Sequence, residues 1–317
     1  MYYPLLRGRQ FELLALRGVT DDARCCQFVT PIIEPVRLDL KSLQLANDKF
    51  AECGSHPYLI VNPSVGEIAD AGSPQLILDF LHNPAEKDSA FRPAFLCDEW
   101  LLHHKLQLES FNNALLVCMN STLSDDEIAS FARLSNISGV VLFEPERHRS
   151  LRRILGMQKL IRLDDWFEAE QRNADYLSLP PRKFSEEISY YKEENYSGYG
   201  DFTLLPMAYT EGGFAPRAVV IHWSYLKKEE DREEIWMAHY TSESNYSTSD
   251  VAGKFREAAQ KLIEDREKYA FMENKAFEEL KTYYDEGRYP GLGVLKKLSI
   301  QNHILINAEY LSRQEGN

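Results

Sequence analysis

The chain has no Cys-x-x-Cys pair, and its five cysteines, Cys25, Cys26, Cys53, Cys97 and Cys118, are odd in number. That pattern argues against a thiolate zinc site and a disulfide framework, and for reduced thiols in a cytoplasmic setting. Cys97 and Cys118 sit inside apolar runs, where a thiol packs as a small hydrophobe. No apolar run approaches the ~18 residues that cross a bilayer. The opening Met1-Tyr2-Tyr3-Pro4-Leu5-Leu6-Arg7 lacks the basic region and long apolar core of a signal peptide, and reads as a first strand. Positive charge is scarce: 36 Lys and Arg stand against 49 Asp and Glu, a formal net charge of −13. A broad nucleic-acid footprint needs a basic surface and is not favoured, although a local basic groove is left open. The phosphate-cradling Gly-x-x-x-x-Gly-Lys-Ser/Thr loop, the dinucleotide Gly-x-Gly-x-x-Gly and the hydrolase Gly-x-Ser-x-Gly elbow are all missing.

Short apolar runs that end in a polar residue are what the sequence does have. Val29-Thr30-Pro31-Ile32-Ile33 closes on Glu34-Pro35, Tyr58-Leu59-Ile60-Val61 on Asn62-Pro63, and Val140-Val141-Leu142-Phe143 on Glu144-Pro145. Runs without the proline close on Asp98, Asn120 and Asp164, and the first run closes on Arg7. Helix-period stretches separate them; Ser124 and Glu127 have the spacing of a capping box. Successive closing residues stand 27, 28, 36, 22, 24 and 20 apart, with Asp201 a further 37 on. The mean of about 28 matches the βα unit of an eight-fold barrel. Continuous rather than alternating apolar strands suit a sheet covered by helices. The expected fold is α/β, a TIM-like (β/α)8 barrel with a β-hairpin insertion and C-terminal helices. A doubly wound open sheet is the alternative.

Residues 1–210 are expected to form the barrel-like core, and 211–317 a hairpin and helical part closing the same domain. The polar, tyrosine-rich stretch from Gln171 to Tyr199 reads as a loop excursion before the last strand, and Asp164 to Gln171 as helical. Ala218 to Trp223 and Ile235 to Tyr240 read as a hairpin about Glu230 and Asp231, which sets His222 opposite His239. Helices are expected from Ser249-Asp250 and over Ala276 to Tyr284, while Leu292 to Leu311 reads as mixed, with Ile304-Leu305-Ile306 either helix or strand.

In a barrel the C-terminal strand ends build the site. The candidate catalytic groups are therefore Glu34, Asp98, Glu144, Asp164 and Asp201, with the histidine pair His222 and His239 beside the hydroxyls of Thr241, Ser242 and Ser244. Arg7, Arg37, Asn62 and Asn120 are candidate ligand-binding groups. Glu34, Asp98 and Glu144 are a candidate magnesium set, because clustered carboxylates need a cation, arginine partners or raised pKa values. The competing reading has these carboxylates capping the helices that follow, and has the histidines packed and hydrogen-bonded. The cationic cluster from Glu146 to Arg153 is either a solvated helix face or a phosphate- or partner-binding patch.

Tyr3-Pro4-Leu5-Leu6-Arg7-Gly8-Arg9-Gln10-Phe11-Glu12-Leu13-Leu14-Ala15-Leu16, followed by Pro31-Ile32-Ile33-Glu34-Pro35, resembles the opening of the bacteriophage "beta protein" family and its bacterial relatives. The resemblance extends to Asn62-Pro63 with Gly66, to Gly200-Asp201, to Ala218 through His222, and to Asp250 with Gly253-Lys254-Phe255. It carries no assigned catalytic role. It implies a barrel-like α/β fold and a setting among mobile elements and phage-defence gene clusters. Two functions are expected, the first from the resemblance, the missing catalytic signatures and the tyrosine-rich excursion, the second from the carboxylates Glu34, Asp98, Glu144, Asp164 and Asp201. One is a recognition or assembly component of an antiphage defence system, with a protein partner from the same operon. The other is a metal-dependent phosphodiesterase or nuclease. A sensor of a nucleotide-like signal through Arg7, Arg37 and Asn62 is a third.

Overall fold

The computed structural model describes residues 1–82, 89–156, 159–212 and 217–315. The chain forms two compact units: Met1–Leu13 with Thr20–Asp165 and Tyr190–Phe202, and Leu14–Val19 with Trp166–Ser189 and Thr203–Asn317. Among the described residues no helix is long and apolar enough to cross a membrane.

The first unit holds β1 (Leu5–Arg7), β2 (Ile32–Glu34), β3 (Tyr58–Ile60), β4 (Arg92–Leu96), β5 (Ala114–Cys118), β6 (Ile137–Phe143) and β7 (Leu160–Asp164). Strand β8 (Arg182–Ser185) belongs to the second unit, and β9 (Gly198–Asp201) returns to the first. The eight strands of the first unit pair in parallel, each with the next, in the order β1-β2-β3-β4-β5-β6-β7-β9. A doubly wound sheet reverses its strand order at a switch point; this one never does. Tyr2 bridges in parallel to Tyr199, and Tyr3 N–H donates to Tyr199 O at 2.8 Å, so the last strand meets the first. Gly198 and Gly200 permit that approach, since a Cβ on Gly200 would strike the Tyr3 carbonyl. The result is a barrel-like sheet with surrounding helices, an α/β fold of TIM-barrel type.

Register decides which side chains face inward. Partners share a face and successive residues alternate. Leu5 pairs with Ile32 and Ile32 with Tyr58; Ala94 pairs with Leu115 and Leu115 with Gly139; Ile161 pairs with Val141 and with Gly198. Tyr58 pairs with Arg92, two residues before Ala94, so all of these lie on one face. That face is the interior. Tyr3 shares it, and Tyr58 and Arg92 act on its phenol from β3 and β4. The rings of Phe143 and Phe202 meet at 6.1 Å across the intervening β7. Leu6, Ile33, Leu59, Phe95, Leu116 and Leu142 point the other way, toward the helices, and all are buried.

The second unit is organised by β10 (Val220–Glu229) and β11 (Arg232–Thr241), an antiparallel hairpin turning at Glu230 and Asp231. His222 and His239 are register partners, as the turn position implies. The excursion before β9 is more than a loop: it supplies β8, which pairs with Ile235 to Met237 and makes a three-stranded sheet. Asp165 to Glu170 is irregular rather than helical. The undecided C-terminal stretch is one helix, Leu292–Glu315, with fourteen buried residues. Asn302 donates to Ser224 O at 2.7 Å and ties that helix to β10. Asp250 caps the helix Val251–Glu264 by accepting from Gly253 N–H.

Candidate functional site

At the C-terminal rim of the barrel, Arg7 and Glu34 are register partners on neighbouring strands, and their side chains form an ion pair. The other carboxylate oxygen of Glu34 accepts from Ser64 N–H at 2.7 Å and from Ser64 Oγ at 2.9 Å. Glu34 is wholly buried. Asn62 acts as a strand residue made from a side chain: its Oδ1 accepts from Leu96 N–H at 2.9 Å and its Nδ2 donates to Leu96 O at 3.0 Å. The same Nδ2 reaches Asp98 Oδ1 at 2.9 Å. Asp98 is also the N-cap of the helix Glu99–His103, accepting from Leu101 N–H. Burial holds its carboxyl above the usual range, against the pull of those donors.

Glu144 sits just beyond β6 with a φ of 47°, and its carboxylate pairs with Arg147 at 2.8 Å, partly in solvent. Asn120 follows β5, also at positive φ, and is exposed. Arg37 lies on the loop after β2 and pairs with Glu67, whose carboxylate also accepts from Leu38 N–H at 3.1 Å. The Arg37 hydrogen bond holds the Glu67 carboxyl below its ordinary value.

Asp164 and Asp201 do not join this rim. They are partners on β7 and β9, each one residue past an inward-facing Leu163 or Gly200, so alternation sends both side chains outward. There Arg162, two residues earlier on the same face, donates through Nε to Asp164 at 2.6 Å and through Nη1 to Glu146 at 3.1 Å. Burial raises the Asp164 carboxyl even beside that guanidinium. Tyr2 donates its hydroxyl to Asp201 at 2.7 Å; burial, then the Asp201 charge, push that phenol well above its ordinary value. The expectation of five carboxylates around one mouth is therefore corrected: Glu34 and Asp98 are bonded in separate groups at the rim, Glu144 to Arg147, and Asp164 and Asp201 on the outer face of the sheet.

The expected metal set is not assembled. Among the described residues no group of three or more His, Cys, Asp or Glu side chains is placed to hold an ion. Glu34 is turned to Arg7 and Ser64, Asp98 to Asn62 and its own helix, and Glu144 to Arg147. The magnesium expectation loses its donor set with them.

In the second unit, His222 and His239 touch through Nδ1 and Nδ1 at 2.8 Å. One of those nitrogens carries the proton and the other accepts it, so the two neutral rings hold complementary tautomers. Tyr176 packs on both rings and Phe167 on His222. Burial, then each other's proximity, push His222 down to about 3, and burial with Arg182 nearby pushes His239 down to about 4. Such imidazoles stay neutral at physiological pH and are weak bases there. His239 Nε2 is buried with no hydrogen-bond partner, and so is the hydroxyl of Thr241 on the same strand face.

No known protein family matches the sequence. A search of curated proteins likewise finds no match. The rim and the histidine pair are therefore interpreted from geometry alone. Sequence reasoning missed Ser64, Arg162 and Tyr2, and Phe202, whose ring lies 5.9 Å from the Arg7 guanidinium. Arg162 had a usable signal, its place two residues before Asp164 on one strand face; Tyr2 had none, because its partner lies 199 residues away.

Proposed function

We propose that this protein is a cytoplasmic recognition or assembly component of a prokaryotic antiphage defence system, engaging a protein partner at the C-terminal face of its barrel. One observation carries the binding part. The strand-end groups that chemistry would need are bonded to one another, and the groups left facing solvent at that end stand on loops. Arg37, Leu38, Asn120 and Arg147 are exposed, on the connections after β2, β5 and β6. A rigid scaffold that displays loop side chains is the usual layout of a recognition surface. The defence setting rests on the resemblance alone. The phosphodiesterase reading has no comparable support, since its carboxylates are divided between two faces and its metal set is dispersed.

Purification from the native host at physiological salt tests this reading. The expected result is a stoichiometric partner encoded in the same operon, released by Arg37→Glu combined with Arg147→Glu. Both residues are exposed, and circular dichroism of the double variant checks that its fold is kept. Loss of the gene should also raise phage plating efficiency. A wild-type chain recovered alone, or a partner indifferent to the two charge reversals, would overturn it.

A further inference from the structure

Two of the five cysteines meet among the helices of the first unit. Cys26 lies in the helix Ala23–Phe28, and Cys53 is the last residue of the helix Lys41–Cys53. The two helices pack against each other. Their thiols are in hydrogen-bond contact, and both residues are half-buried, so solvent reaches them in part. Each thiol also lies beside a carbonyl: Cys26 Sγ donates to Thr20 O at 3.2 Å, and Cys53 Sγ to Phe50 O at 3.5 Å.

A second close pair sets the first apart. Cys97, just past β4, and Cys118, at the end of β5, hold their sulfurs 3.3 Å from each other, but both are buried, as is Cys25. Oxidation of thiols needs access as well as proximity. A soluble oxidant therefore reaches the pair on the helices and not the pair on the strands. Bond formation there asks for little movement. A disulfide holds its sulfurs about 2.05 Å apart, and Cys53 ends its helix, followed by Gly54 in the left-handed region at a φ of 70°. A helix end yields more readily than a helix interior.

We infer that Cys26 and Cys53 are a reversible disulfide-forming pair, oxidised by a hydroperoxide to close a covalent ring through residues 26 to 53 that encloses β2. In the first step one sulfur attacks the peroxide. An S–O bond forms, the O–O bond breaks and water leaves, giving a sulfenic acid. In the second step the other sulfur attacks the first. The S–S bond forms, the S–O bond breaks, and the thiol proton departs with the hydroxyl as a second water. Two thiols are oxidised and one peroxide is reduced. Burial, then the Cys53 thiol, push Cys26 up to about 12. Cys26 thus keeps its proton and takes the second role, with Cys53 oxidised first. A dithiol reverses the bond by exchange, and where thiols are kept reduced such disulfides are transient.

Treatment of the full, reduced chain with hydrogen peroxide, followed by peptide mass spectrometry without reduction, tests this. The expected product is an intramolecular disulfide joining Cys26 to Cys53, reversed by dithiothreitol, with Cys97 and Cys118 still open to alkylation after unfolding. Cys26→Ser should stop the reaction at a sulfenic acid on Cys53, which dimedone traps. Closing the ring restricts the unfolded chain, so amides of Ile32–Glu34 in the oxidised wild type should open about a hundredfold less often. A wild-type chain that forms no cross-link overturns the inference. So does a disulfide between other cysteines in its place, a cross-link that Cys26→Ser leaves intact, or a ring that leaves the exchange of β2 unchanged.

Discussion

Replacing Glu34 by Gln should uncouple the barrel rim without changing its shape. The amide oxygen of the new residue still accepts from Ser64, whose N–H and hydroxyl both donate to Glu34 Oε1. The amide nitrogen meets the donors of Arg7, so the guanidinium loses its carboxylate partner. Breaking a buried pair from one side costs about 3–5 kcal/mol, because a charge is left behind. Glu34 is wholly buried, but the Arg7 side chain keeps 11% exposure, which admits water to the stranded cation. The expected loss is therefore near the lower end, about 3 kcal/mol. Hydrogen exchange followed by mass spectrometry isolates the barrel from the second unit: amides of Leu5–Arg7 and Ile32–Glu34 should open about a hundredfold more often. Adding Arg7→Met removes the stranded charge and should recover most of the loss. A cost for Glu34→Gln below about 1 kcal/mol, the worth of a surface pair, would refute the reasoning. A double variant no better than the single one would refute it too.

The histidine pair gives a pH prediction with a definite sign. Both imidazoles have folded values, about 3 and about 4, below the unfolded 6.5. The unfolded chain therefore takes up protons first, and stability present above pH 6.5 is lost as pH falls through that value toward 4. Urea midpoints of the second unit between pH 7 and about 5, above most carboxylate titration, should fall, and His222→Phe should flatten the slope; an unchanged slope would show that the rings are solvated. Gly200→Ala forces a Cβ into the Tyr3 carbonyl, so the closing bond from Tyr3 to Tyr199 should be lost and thermal melting should shift down sharply, by the several degrees that about 1–3 kcal/mol of overpacking implies. Titration with magnesium or manganese should give no saturable heat that Glu34→Gln removes, because the expected carboxylates are turned to other partners; a binding isotherm abolished by that substitution would restore the metal reading.

Most of the strands were legible because they are continuous apolar runs with a polar terminus, and their mean spacing favoured a barrel; the open sheet was set aside only by the observed strand order, which never reverses. The opposition of His222 and His239 was also legible, since a charged two-residue turn fixes hairpin register. Facing was not. Asp164 looks like Glu34 in sequence, a carboxylate closing a strand, yet they lie on opposite faces because their runs end one residue out of phase relative to the interior positions Leu163 and Ile32. A one-residue difference of this kind inverts a side chain and leaves no trace in composition. The competing reading of Asp98 as a helix cap proved correct for that residue. The helix Leu292–Glu315 escaped assignment because it is buried on most sides, including polar Gln301, Asn302, His303 and Asn307, so the one-sided apolar stripe that marks an amphipathic helix is absent.

The bridge from Tyr2 to Tyr199 has a consequence for biosynthesis. The ring of strands is joined by segments near opposite ends of the first unit, with the long excursion carrying β8 emerging between β7 and β9. During translation the nascent sheet must wait for Gly198 to Asp201 to leave the ribosome before its two open margins can meet. Until then both margins offer free main-chain groups to any neighbouring polypeptide, the condition under which partly made sheets aggregate. Slow synthesis through the excursion would lengthen that exposure, and chaperone demand should peak at that point.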